Sequence, residues 1–138
     1  MYETILVGTD GSDQASTAID HGIDLASKYG AVLHVIAVVD TSRYGESALS
    51  ATELVLDDLE DEAQAQLMEA LERGRSRGVV VEGVCSHGTP DLEIVGYADE
   101  IDADLVLLGT TGRSRDGHHI GSVANRVTKG TDRAVLLS

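Results

Sequence analysis

The sequence has no phenylalanine or tryptophan, one proline and one cysteine, and only ten basic residues against twenty-four acids in 138 positions. Each shortage excludes something. With four tyrosines as the only aromatics, the core must be Val, Leu, Ile and Ala, the residues of a buried sheet covered by helices. A single proline argues against a disordered, proline-rich chain and against a loop-heavy β-sandwich. Cys85 stands alone, so no intramolecular disulfide can form. It lies in the apolar run Val79 to Cys85 and reads as a small buried hydrophobe. A net charge of −14 leaves no basic face for nucleic acid and no attraction to an anionic membrane. Long hydrophobic runs are also missing. The longest, Ala31 to Val39, is short and broken by His34, too short to span a bilayer. Met1-Tyr2-Glu3-Thr4 has no basic region and leads straight into a strand, unlike a signal peptide. The expectation is a single cytoplasmic domain over residues 1–138. Strong acidity with only two lysines, Lys28 and Lys129, resembles proteins of salt-loaded cytoplasms, where salt screens self-repulsion that loosens a fold.

What is present alternates strand and helix. Ile5-Leu6-Val7 is a short strand ending at Gly8-Thr9-Asp10-Gly11. A helix from Ser12 or Asp13 keeps Ala15, Ala18, Ile19, Gly22, Ile23 and Ala26 on one face and stops at Tyr29-Gly30. Val32 to Val39 is a second strand, and Asp40 to Ser50 is a polar connection. A long helix, Ala51 to Arg77, follows, with Asp57, Asp58, Glu60, Asp61 and Glu62 on a solvated side that lacks calcium-loop spacing. Gly78 ends it, and Val79 to Cys85 is strand three. Thr89-Pro90 reads as an N-cap and first-turn proline for a helix running to Glu100. Asp104 to Leu108 is strand four. A last helix from Ser122 to Gly130 precedes a final strand, Arg133 to Leu137. Strictly alternating β and α elements imply an α/β fold: an open, Rossmann-like five-stranded parallel sheet with helices on both faces. Ligands of such sheets sit beyond the carboxyl ends of the strands, where strand order reverses.

The segment with most chemistry is Gly109-Thr110-Thr111-Gly112, then Arg113 to Ile120, then Gly121-Ser122. Its four glycines let backbone amides approach an anion. Gly121-Ser122 stands at a helix start, where free amides and the dipole favour phosphate. Arg113, Arg115, His118 and His119 face one acid, Asp116, and form the densest basic island of the chain. Either this is a phosphate site or it is a Gly-rich loop whose arginines bind neighbouring acids. No Gly-x4-Gly-Lys-Ser/Thr and no Gly-x-Gly-x-x-Gly occurs. His118-His119 could meet a phosphate or, with further ligands, a metal. Asp10 could accept from ribose hydroxyls or cap the first helix. His87 is placed at a cleft rim or a dimer-facing edge, while His21 and His34 read as packed. No nucleophile elbow, metal-hydrolase helix or cysteine–histidine pair is recognisable, so no catalytic residue and no metal ligand is assigned. Asp10 and Asp116 are the only guesses for a general base.

Four pieces in order over the whole chain resemble the universal stress protein family. They are Ile5-Leu6-Val7-Gly8-Thr9-Asp10-Gly11-Ser12; His34 to Asp40; Gly88-Thr89-Pro90 with Ile94 and Ala98; and Asp104 to Arg113 with Gly121-Ser122-Val123. The resemblance implies strand order 3-2-1-4-5 and a homodimer joined through Arg133 to Leu137, an edge suited to pairing with its symmetry mate. It further implies ATP as ligand, with Mg2+ or Mn2+ bridging the phosphates. Thr9 and Asp10 would contact ribose, and Val38 would offer backbone groups to adenine. Leu108, Gly109 and Thr110 would line the pocket. Gly112, Arg113, Gly121, Ser122 and Val123 would surround the phosphates. One departure stands out: eight residues separate Gly112 from Gly121, one fewer than the family signature, and Asp116-Gly117-His118-His119 replaces most of its apolar end. The expected function is therefore a nucleotide-dependent stress-response switch acting on an unknown protein partner. The alternatives are a dimeric interaction module without nucleotide and a slow ATP-hydrolysing enzyme.

Overall fold

A computed structural model describes residues 2–9, 13–41, 49–109 and 120–138. Nine elements follow one another: β1 (Thr4–Thr9), α1 (Asp13–Tyr29), β2 (Val32–Asp40), α2 (Leu49–Ser76), β3 (Val81–Gly88), α3 (Pro90–Ile101), β4 (Leu105–Leu108), α4 (Ile120–Gly130) and β5 (Ala134–Leu137). The strands form one sheet of order β3-β2-β1-β4-β5, and every pairing is parallel. The all-parallel arrangement is what the alternation of elements implied, and the order is the one that the family resemblance implied.

The alternation of side chains along each strand sorts the core onto two faces. Ile5 and Val7 of β1, Leu33, Val35, Ala37 and Val39 of β2, and Leu105 and Leu107 of β4 pack with α1 and α2. Leu6, Ile36, Val106 and Leu108 point the other way and pack with α3 and α4 through Ile94, Ala98, Val123, Ala124 and Val127. β1 and β4 are buried on both faces, which explains why their sequences read as continuous apolar runs rather than alternations.

The helices end where the backbone turns left-handed. Gly30 has φ 66°, and Ala31 N–H donates to Ala26 O at 3.0 Å, closing the end of α1 as glycine caps do. Gly78, at φ 69°, does the same for α2. Here the expected boundary moves. Val79 N–H still donates to Gly74 O at 2.9 Å, completing the helix end, so β3 begins at Val81 instead of Val79 and runs on to Gly88. His87 is thus inside strand three, not after it. Thr89 is the N-cap of α3 with proline in the first turn, as expected, although its side chain makes no capping hydrogen bond. α4 begins at Ile120, two residues ahead of the expected Ser122.

Ionic contacts on the outside fix how elements lie. Arg73 of α2 reaches Ser16 and Asp20 of α1, each at 3.0 Å, and pairs with Glu69. Arg77 reaches Asp24 at 2.9 Å. Arg133 clasps Asp99 and Asp102 at the end of α3, at 3.2 and 2.9 Å, so it anchors the approach to β5 and is not part of the strand. Asp104 Oδ2 accepts from the N–H groups of Glu3 and Thr4 at 2.8 and 3.0 Å, tying the start of β1 to β4. Those two backbone donors hold the Asp104 carboxyl below its ordinary value.

Candidate functional site

Strand order reverses between β1 and β4. α1 carries the chain from β1 to β2 on one side, and α4 carries it from β4 to β5 on the other. Both helices therefore begin at the carboxyl edge of the sheet, one over each face. The first-turn N–H groups of a helix have no partner within the helix and carry its positive pole. A crevice at such a switch point is where open parallel sheets take ligands.

The side chains at this edge follow from register. Thr9 ends β1, is buried and pairs with Ala37. Leu108 ends β4, fully buried, with Gly109 buried just after it. Val38 packs against the same cluster that holds Leu108 and Val123. The structure thus brings Val38, Leu108 and Val123 together on the α3–α4 face, with Thr9 at the next strand end. Gly8 matters to this assembly. A Cβ there would stand 2.9 Å from both Ile94 Cδ1 and Leu108 Cδ2, so any larger residue would have to push those two tips aside where α3 closes onto the end of β1. Gly121 and Ser122 fall in the first turn of α4, where their N–H groups belong to the unpartnered set. Asp10, Thr110, Gly112 and Arg113 lie outside the described residues, as do Arg115, Asp116, His118 and His119.

A second concavity, about 350 Å³, lies away from the switch point, between β3 and α3, with Ile36, Val84, Gly96 and Tyr97 in its wall. Ser86 Oγ donates to Glu93 there. Beside it, His34 Nδ1 and Tyr97 Oη share a hydrogen bond of 3.1 Å, and the rings meet edge to face. Burial, then Glu82 and Glu100, push the Tyr97 hydroxyl up, so it stays protonated. His34 is packed, as its place in an apolar strand implied. His21 is part-buried beside Ser138 Oγ at 3.4 Å. His87 stands on β3, the edge strand farthest from β5, and pairs with Glu60 at 3.5 Å.

The universal stress protein family model matches residues 1–138. Universal stress protein MJ0531 of Methanocaldococcus jannaschii is 35% identical over 99% of this chain and 82% of its own. The chain belongs to the universal stress protein family. Among solved structures, the universal stress protein UspA from Lactobacillus plantarum superposes with TM-score 0.89 at 27% identity, covering 99% of this chain and 97% of that one. A universal stress protein crystallised in complex with cAMP superposes with TM-score 0.76 at 30% identity, covering 99% and 97%. A nucleotide ligand is therefore on record for a relative of the same fold.

What sequence reasoning missed is on β3. Cys85 and His87 are two residues apart and point to the same side, and α2 lowers Glu60 onto them. The cysteine–histidine pair was legible only as Cys-x-His in a strand. Glu60 was hidden inside an acid run that is otherwise exposed.

Proposed function

We propose that this universal stress protein binds an adenine nucleotide, ATP in the first place, at the carboxyl edge between β1 and β4, and that nucleotide occupancy switches its choice of protein partner. The observation that carries the reading is the switch point itself. Two helix N-termini flank it, Gly109 opens a Gly-rich and arginine-bearing segment at the end of β4, and α4 starts where that segment closes. The relative with bound cAMP supports the ligand class. Thr9 and Asp10 would take the ribose, and the backbone at Val38 the adenine. Leu108, Gly109 and Thr110 would wall the pocket. Gly112, Arg113, Gly121, Ser122 and Val123 would hold the phosphates on free amides and a guanidinium. Mg2+ or Mn2+ would enter with the phosphates themselves.

The working form in this reading is a homodimer in the cytoplasm. β5 is an edge strand paired on one side with β4, and Leu137 is 46% exposed. A second copy pairing there would satisfy the open edge. Among the described residues, no helix is long and apolar enough to cross a membrane.

The test is direct. Protein purified in high salt is denatured, released small molecules are identified by mass spectrometry, and ATP, ADP and cAMP are titrated calorimetrically with and without Mg2+. One nucleotide per chain is expected, with binding lost in Gly121→Asp and circular dichroism unchanged. Arg113→Ala, outside the secondary structure described, gives a second variant if Gly121→Asp does not fold. A folded wild-type chain that neither carries nor binds nucleotide would leave the second reading, an interaction module without nucleotide. The spacer one residue short of the family signature favours that reading.

A further inference from the structure

The carboxyl end of β3 holds a group of side chains that the nucleotide reading does not use. Cys85 and His87 are separated by one residue of a strand, so both point to the face covered by α2. Ser86 between them points the opposite way, to Glu93 of α3. On α2, Ala63 and Leu67 form the buried stripe. Glu60 lies one turn before Ala63 on that same stripe. The packing of α2 therefore aims one carboxylate at the thiol and the imidazole. The donor atoms of Glu60, Cys85 and His87 all lie within 4.8 Å of one another, and His87 Nε2 to Glu60 Oε1 is 3.5 Å. Behind them, β2 places Ala37 beside Cys85 and Val39 beside His87, both buried, so the floor is apolar and offers no competing hydrogen bonds.

These three donors are chemically a metal set. Thiolate, imidazole and carboxylate are the three protein ligands of zinc, bound at about 2.0–2.3 Å. Tetrahedral ligands at those lengths stand roughly 3.3–3.6 Å apart. The imidazole–carboxylate separation already matches. The other two separations are no more than 4.8 Å, and adjustment of the Glu60 and His87 side chains, each 45% exposed, would bring all three donors to that spacing. The His87–Glu60 contact leaves the Cys85 sulfur, packed at the margin of the apolar cluster, beside the same carboxylate. Burial, and then the Glu60 charge, push that thiol up.

We propose that Glu60, Cys85 and His87 form a binding site for a thiophilic divalent metal ion, of which zinc is the best match, with water in the fourth position. Bound there, the ion staples α2 to the edge of the sheet. The site is on the opposite edge from β5 and does not depend on the nucleotide reading. Binding displaces the thiol proton into solvent, so affinity rises with pH.

The full-length, nucleotide-free chain in a non-thiol reductant is titrated with cobalt(II) as a spectroscopic probe, then with zinc in competition. One cobalt per chain is expected, with a thiolate-to-cobalt charge-transfer band and d–d bands of tetrahedral intensity. Cys85→Ser should abolish the charge-transfer band. Glu60→Gln and His87→Gln should each weaken zinc by at least the roughly 10–100-fold that even an outer-sphere partner is worth. The double variant His118→Ala/His119→Ala should bind as the parent does. In the unmodified chain, zinc should slow alkylation of Cys85 severalfold, a readout that needs no variant to fold. Absence of the charge-transfer band in folded protein, binding that survives Cys85→Ser, or binding lost with His118 and His119 would each overturn the site.

Discussion

The two faces of the sheet are built from one set of strands and still differ in kind. The face under α1 and α2 is aliphatic and close-packed over β2, β1 and β4, with Leu33, Val35, Leu107 and Ile23 all essentially without exposure, and turns polar at the β3 edge, where Glu60, Cys85 and His87 meet. The face under α3 and α4 is smaller. It carries the His34–Tyr97 pair and the Ser86–Glu93 pair, and it leaves a groove beside β3. Among the described residues, the larger buried cluster lies on the first face. The second keeps polar groups and space, which a protein gains only by giving up apolar burial.

The comparison breaks first under a cavity. Leu33→Ala, on the closed face, is expected to cost about 3 kcal/mol in urea unfolding, whereas Leu92→Ala, 66% exposed at the groove, should stay within about 0.5 kcal/mol. A similar loss at both would mean the groove is packed by something in solution. The next contrast makes one substitution on each face. A Cβ on Gly22 would meet Val7 Cγ2 at 2.9 Å and Leu33 Cδ1 at 3.0 Å, while a Cβ on Gly96 meets nothing within 4 Å. Gly22→Ala should destabilise by about 1–2 kcal/mol despite the better helix propensity. Gly96→Ala should stabilise by about 0.5–1 kcal/mol. A smaller effect comes from Tyr97→Phe, which removes the His34 hydrogen bond and should cost about 1 kcal/mol, read from thermal unfolding.

The smallest effect is seen in acid. Asp104 is held below its ordinary value by the N–H groups of Glu3 and Thr4. Its contribution is complete above the unfolded carboxyl value near ~3.9, and it fades as pH falls through the lower folded value. Asp104→Asn should therefore narrow the stability difference between neutral and strongly acidic solution. An unchanged acid limb would assign it to other carboxylates.

Much of this was legible beforehand because parallel α/β folds write themselves as apolar runs. Val32 to Val39 cannot be buried on two faces except as an inner strand, and Gly30 cannot be replaced cheaply at its left-handed turn. The shift of β3 by two residues was not legible, since Val79 looks like strand and is spent on ending α2. Thr9 and Leu108 end β1 and β4, and Val38 lies near the end of β2. The Glu60–Cys85–His87 group was not legible. Twenty-four residues separate Glu60 from Cys85, and only the rotational setting of α2 on the sheet decides which acid of the run turns inward.

The clasp of Asp104 on Glu3 and Thr4 opens a practical matter. It fixes the first residues at the amino end of the sheet, while Ser138 N–H donates to Leu108 O at 2.8 Å and holds the last residue at the carboxyl end. A tag, dye or surface tether fused ahead of residue 2 therefore emerges on the side remote from the β1–β4 crevice. The same attachment after residue 138 emerges beside that crevice and next to the open edge of β5. Immobilisation by the amino terminus leaves both surfaces clear for ligand and partner, so the two orientations on a sensor chip should report different binding capacities for one and the same protein.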